Sequence, residues 1–279
     1  MLKHRCVSGW TNVDPFDRLS AKFQSALLER SVMPVPGSNT AKFCLLLSLV
    51  TTFQLATLSA QELLSKANAL FDAGDLKSLL QSAELYAQQF KADPKSYEAA
   101  WKASRSYRQY ANDAKEAEVE GWKEICKQNG QLGMSFGEKA VALNPKGVEG
   151  YFWYGCSVGN YSDGVSVVTA LREGLKGKTQ ENLEKAYELD KTYKDGGPIK
   201  AIGRFWFVLP WPLTDKVKAH TYLQEFQKLY PEDPEGQVFF AEVLIDRKEK
   251  AEAKKLLEKA AASDQEYHAS LAKKLLKDL

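Results

Sequence analysis

From Gln61 onward, apolar residues recur with the 3.6-residue period of helices and no run alternates cleanly as a strand would. Pro94, Pro145, Pro198 and Pro231 fall between the periodic segments. A proline inside a helix removes one hydrogen bond and crowds the preceding turn, so each of these residues is expected to separate a helix from its successor. An amphipathic helix must cover its apolar stripe, and with no strands to offer a sheet the cover has to be another helix. The expected fold class is therefore all-α: antiparallel helix pairs stacked over residues 61–279.

Small and large residues repeat at matched positions within these segments. Phe240-Ala241-x-x-Leu244 opens the last full unit, and Ala253, Leu257 and Ala260 follow. Ahead of it, Ile199-x-x-Ile202-Gly203-x-x-Trp206 gives a first helix, and Ala219, Leu223, Phe226 and Pro231 a second. Tyr151-x-x-Tyr154-Gly155-x-x-Val158 precedes that pair, followed by Leu183 and Ala186, with Lys191 where a proline would stand. An earlier pair runs from about Trp101 to Pro145, and a divergent first pair begins near Leu63, turns at Ala73-Gly74-Asp75 and ends at Pro94. This is the layout of the tetratricopeptide unit, in which a small residue lets two helices approach and larger ones fill the space between them. Gly155, Gly203 and Ala241 lie 48 and 38 residues apart, longer than the usual period of about 34. The solenoid is thus degenerate, with an insertion around Tyr161 to Lys178. Asp264 to Leu279 has the pattern of a polar-faced terminal helix that caps such a stack.

Residues before Gln61 follow a different logic. Phe43 to Gln61 contain no charge, Lys42 precedes them, and Leu58-Ser59-Ala60 closes the run on a small residue. That order is the signature of a secretory leader, so residues 1–60 are expected to be a signal segment and 61–279 the exported domain, with a retained N-terminal membrane anchor as the alternative. The stretch from Met1 to Lys42 is long for a leader, and Met33 would give an ordinary one, so residues 1–32 are expected to lie ahead of the true start. No Cys follows the apolar run to carry a lipid.

The charge balance, 38 Lys+Arg against 36 Asp+Glu in 279 residues, gives a net +2. It becomes −1 once six basic and three acidic leader residues leave. Neither value suits a nucleic-acid partner. His220 and His268 are the only histidines after residue 60, and with no metal-ligand spacing and no nucleophile motif, neither a metal, a cofactor nor an enzymatic activity is expected. Acidic pairs such as Glu116/Glu120 and Glu249/Glu252 read as solvated helix faces. Cys126 and Cys156 would be exported together, but if Gly137 lies level with Cys156 in a hairpin closed at Pro145, Cys126 stands about 16 Å further along. Bridged Cα atoms lie within about 7 Å, so no disulfide is expected.

Two aromatic clusters remain: Tyr151-Phe152-Trp153-Tyr154-Gly155 and Gly203-Arg204-Phe205-Trp206-Phe207, the latter running on through Leu209-Pro210-Trp211-Pro212-Leu213. Consecutive aromatics point all round a helix, so one core face cannot hold every ring. Pure core, a core shared with a ligand pocket, and an exposed partner surface all remain open. Arg204 follows Gly203, and Arg105 and Arg108 share a face of the Trp101 helix. Aromatic walls with a guanidinium at the base would suit an apolar or aromatic carboxylate, and pairing with acidic neighbours is the alternative. The candidate ligand-binding residues are Trp101, Arg105, Tyr151, Tyr154, Arg204, Phe205 and Trp211.

From Tyr151-Phe152-Trp153-Tyr154-Gly155 through Leu183 to Asp190, Gly196-Gly197-Pro198, Gly203-Arg204 and Leu209-Pro210, the sequence resembles the T-component (TatT) family of tripartite ATP-independent periplasmic (TRAP) transporters. The likeness spans about Trp101 to Ala262. It implies a periplasmic, helical-repeat, non-enzymatic accessory protein with a central cavity. Such a protein would bind a hydrophobic or organic-acid ligand and a solute-binding partner subunit. Some members of that family are trimeric, so the resemblance also implies a homo-oligomer. The competing expectation is a general protein–protein interaction scaffold without a small ligand.

Overall fold

The structure, a computed structural model, describes residues 61–279, and all its regular elements there are helical. The leader, the Met33 start and the cleavage region lie outside the described residues. The helices are α1 (61–73), α2 (Leu76–Ala92), α3 (Tyr97–Glu116), α4 (Trp122–Leu143), α5 (Val148–Gly164), α6 (Val167–Arg172), α7 (Leu175–Asp190), α8 (Tyr193–Val208), α9 (Lys216–Leu229), α10 (Pro234–Asp246), α11 (Lys250–Ala261) and α12 (Glu266–Asp278). Five pairs result: α1/α2, α3/α4, α5/α7, α8/α9 and α10/α11, with α6 inserted in the third. Consecutive helices pack antiparallel, and first helices of successive pairs touch.

The prolines set the joints between pairs. In Asp93-Pro94-Lys95-Ser96, Asn144-Pro145-Lys146-Gly147 and Tyr230-Pro231-Glu232-Asp233 the last N–H donates to the first carbonyl at 3.1, 3.0 and 3.3 Å. These are three copies of one four-residue turn with proline where its fixed φ belongs. Ser96 and Asp233 then cap the next helix by accepting from the N–H groups of Ala99 and Gly236. Pro198 behaves differently. Lys194, Asp195 and Gly196 adopt left-handed φ of 49, 54 and 77°, and Pro198 stands just inside the helical run that follows them, where its missing N–H costs nothing.

The main core joins Phe152, Trp153, Leu183, Ile202, Phe205, Trp206, Leu223, Phe240, Leu244 and Leu257 across the last three pairs. Removing each such side chain from water contributes roughly 1.5–3 kcal/mol. Ala186, Ala219, Ala241, Ala253 and Ala260 are fully buried between helices, as the small positions of the repeat require. The α4–α5 contact is the closest in the molecule's first half. Gly130, Gly133 and Gly137 on α4 face Tyr161, Ser157 and Tyr154 on α5. That register places Cys156 level with residues near 134, three short of the position expected from Pro145, because the turn closes at Asn144–Gly147. Cys126 and Cys156 are both free thiols, and the thiol of Cys126 donates to the carbonyl of Ala111.

One hydrogen-bond junction ties two pairs together. The Tyr97 hydroxyl donates to Glu149 Oε2 at 2.8 Å and accepts from the Gly150 N–H at 3.2 Å, joining the starts of α3 and α5. Burial, followed by the Glu149 carboxylate, pushes its pKa upward, so it stays a donor at all physiological pH. Tyr97→Phe is expected to lower stability by about 1–2 kcal/mol, read as a fall in melting temperature of roughly 3–6 °C.

Candidate functional site

α3, α5, α8 and α10 turn one side toward a common cavity of about 660 Å³, and α12 takes the place that a further first helix would occupy. The volume lies within the range of small-ligand pockets, about 300–1,000 Å³. Its apolar wall comes from Phe152, Trp153, Leu175, Leu183, Phe205 and Phe239. Phe152 reaches this position because Gly197 carries no Cβ; one there would lie 2.8 Å from the ring. Phe152 and Trp153 pack edge to face at 4.7 Å, and Trp153 Nε1 donates to Tyr193 Oη at 3.0 Å.

Among the charged residues of the lining, basic ones outnumber acidic ones. Arg204 pairs with Glu242, and its guanidinium lies 4.4 Å from the Phe239 ring centroid. Lys200 sits between Asp233 and Glu235 at 3.2 and 2.6 Å. Burial alone would push the Glu235 carboxyl up, but the Lys200 ammonium, with His268 and Arg108 beyond it, brings the carboxyl below the usual carboxylate range. Lys115 pairs with Asp163 at 2.6 Å. Among the described residues Arg108 has no such partner: its terminal nitrogens donate to Gln109 Oε1 and Asn112 Oδ1 at 3.2 and 3.3 Å, and its buried Nε has no hydrogen bond. Unsatisfied donors of this kind on an apolar wall favour an anionic group.

The seven sequence candidates separate by direction. Arg204 and Phe205 line the cavity. Trp101 and Arg105 lie on the same face of α3 one to two turns before Arg108, where the Arg105 guanidinium stacks 3.6 Å over Phe71 and 5.2 Å from Trp101. Burial pushes the Arg105 pKa down, and its Nε is also without a partner. Tyr151 and Tyr154 do not line the cavity: Tyr151 packs against the main core and Tyr154 meets α4 at Gly137, because residues on either side of Phe152-Trp153 project about 100° away. Trp211 is 87% exposed on the α8–α9 loop and is likewise outside the cavity.

Three features depart from expectation. Glu116 is half-buried on the cavity wall rather than solvated, and burial pushes its carboxyl up despite the hydrogen bond it accepts from Asn112 at 2.7 Å. The terminal helix does more than cap, since Tyr267, His268 and Leu271 of α12 line the cavity. Lys200, Glu235 and Cys156 also line it, and burial raises the Cys156 pKa to about 11. Their single-residue identities carry no signal, but their spacing along first-helix faces does: 197, 200, 201, 204, 205 and 208 on α8 are one helical stripe. Among the described residues no cluster of His, Cys, Asp and Glu could hold a metal ion, and no helix is long and apolar enough to cross a membrane.

A family model described as regulator of microtubule dynamics protein 1-3 matches residues 63–208. A solved tetratricopeptide protein from Thermus thermophilus has a TM-score of 0.57 at 18% identity, covering 78% of this chain and 99% of its own. PilF from Pseudomonas aeruginosa has a TM-score of 0.52 at 13% identity, covering 80% of this chain and 86% of its own. No curated protein matches in sequence. At these identities the structural likeness establishes the fold, a tetratricopeptide-like solenoid of helix pairs.

Proposed function

Because this chain belongs to the family of regulator of microtubule dynamics proteins 1-3, we propose that it is a non-enzymatic interaction scaffold whose inner face holds a segment of a partner protein. The observation that carries this reading is the cavity itself, walled by Phe205 and Phe239 beside the basic groups of Arg108 and Arg204. A short segment bearing apolar and acidic side chains fits those walls. The family's description speaks of regulating microtubule dynamics; here the reading needs only that a partner segment fill the cavity. Export of the domain by residues 1–60 to a periplasmic location belongs to the same proposal.

A second reading is an accessory of a TRAP-type transporter that holds a hydrophobic or organic-acid ligand and docks on a solute-binding subunit. Arg108, facing an apolar cavity without a carboxylate partner, favours it. The tetratricopeptide-like aspect of the sequence resemblance is supported by the fold, and the transport role rests on the resemblance alone.

Gly159 allows a direct test, because a Cβ there would meet nothing within 4 Å and the residue lines the cavity. A photoreactive amino acid at position 159 of the full chain should cross-link to a polypeptide in the native cell, whereas a small-molecule adduct would support the second reading. Gly159→Trp should leave the fold intact while weakening partner binding roughly tenfold or more, one contact's worth of affinity. Undiminished binding to Gly159→Trp would remove the cavity from the mechanism.

A further inference from the structure

Large apolar side chains that face solvent are concentrated on two segments. Val167, Val168 and Leu171 are exposed on α6, and Val208, Trp211 and Val217 on and around the α8–α9 loop. Both segments border one cavity, which Val167, Leu171, Val208, Leu209, Pro210 and Leu213 line. Together they form an apolar lip at its mouth, with Val168 64% and Trp211 87% exposed.

The lip is held rigidly. Leu213 N–H donates to Pro210 O at 2.8 Å, Asp215 N–H to Trp206 O at 3.1 Å, and the Thr214 hydroxyl to Trp206 O at 3.1 Å. Pro210 and Pro212 have no N–H to satisfy. Ser166 closes α6 in the same way, accepting from the Thr169 N–H.

Cations stand beside the lip. The ammonium groups of Lys176 and Lys218 stand 5.1 and 4.2 Å from the Trp206 ring centroid, and Arg172 ends α6 itself, one turn after Val168. Among the described residues none of these three cations forms an ion pair. The nearby carboxylates are engaged elsewhere: Asp163 pairs with Lys115, Glu173 accepts from Tyr161, and Asp215 caps α9.

We propose that this lip docks on an anionic lipid surface, with Trp211, Val168 and Leu171 entering the headgroup–acyl boundary and the three cations meeting lipid phosphates. Tryptophan and aliphatic side chains ringed by lysine and arginine are the composition that an interfacial site requires. The docked lip places the cavity mouth against the bilayer. This inference does not depend on what fills the cavity.

Tryptophan fluorescence of the full chain, measured with vesicles carrying brominated lipid, tests it. Quenching should occur with vesicles containing one third phosphatidylglycerol, should fall steeply in high salt, and should be lost in Trp211→Phe, whose melting temperature is expected to match the parent's. Val168→Asp should weaken vesicle binding roughly tenfold, and Lys176→Gln with Lys218→Gln should do so only on anionic vesicles. Quenching that persists unchanged in Trp211→Phe would overturn the proposal. So would Trp211-dependent self-association, or tight Trp211-dependent binding to a purified protein without any vesicle binding.

Discussion

Lys200→Met is expected to destabilise the protein by about 3 kcal/mol at neutral pH, because it leaves two carboxylates at the start of α10 without the cation that α8 supplies. The Lys200 side chain is 17% exposed and holds Glu235 at 2.6 Å and Asp233 at 3.2 Å. Asp233 keeps a second partner, the Gly236 N–H at 2.6 Å, so Glu235 bears most of the loss. The sign of the pH dependence follows. In the parent, the Glu235 carboxyl lies below its ordinary value of 4.5, so its contribution is present above that value and fades as pH falls through the lower folded value. In the variant, burial acts with less opposition and the carboxyl rises, so acid protonates Glu235 while the chain is still folded. His268, whose Nε2 lies 4.0 Å from Glu235, also gains its proton on acidification and partly replaces the lost ammonium. The parent–variant gap should therefore be widest near pH 7 and narrow as pH falls toward about 4.5. Urea denaturation across that range measures it. The double variant Lys200→Met/Glu235→Met should recover much of the loss; a gap independent of pH would show that the ion pair is not its source.

Gly130→Leu is expected to cost about 3–4 kcal/mol, beyond the usual overpacking range of about 1–3 because the obstruction is backbone. Even the first added carbon at Gly130 would lie 2.5 Å from the Tyr161 nitrogen and 2.7 Å from its Cα. Those atoms cannot rotate away, so α4 and α5 must separate along their whole contact. Gly133→Ala should be milder, since its closest obstacle at 2.5 Å is the Ser157 hydroxyl, which can turn. Gly159→Ala, with open space around it, should be neutral or stabilise by roughly 0.5–1 kcal/mol through helix propensity. Thermal melts should rank the three variants in that order, with Gly130→Leu lower than the parent by roughly 6–16 °C. An unchanged melting temperature for Gly130→Leu would mean that the close α4–α5 approach is wrong. Because α5 carries Phe152, Trp153 and Cys156, the same variant should also deform the cavity and weaken whatever it holds.

The site is only partly legible in the chain. Arg204 and Phe205 stand out because a glycine, an arginine and three aromatics in succession demand more than a core face. Tyr151 and Tyr154 share their segment with Phe152-Trp153 yet each lies about 100° from that direction, and the insertion at 161–178 blurs the helical phase that would separate them. Trp211 is an exposed ring on the α8–α9 loop rather than a wall within the cavity. Lys200, Glu235 and His268 give no local sign of acting together, since their ion cluster joins α8, α10 and α12.

By itself the sequence determined the all-helical class, the pairing order, the small alanine positions and three of the four proline joints, because each depends on residues within one turn or one hairpin. The tertiary structure alone decided which rings and charges face the cavity, that Lys200 answers Glu235, and that α6 and the Trp211 loop share one lip. The first set follows from short-range sterics and hydrogen bonding. The second depends on how far each helix pair rotates against the next, and that angle is fixed by packing between residues dozens of positions apart.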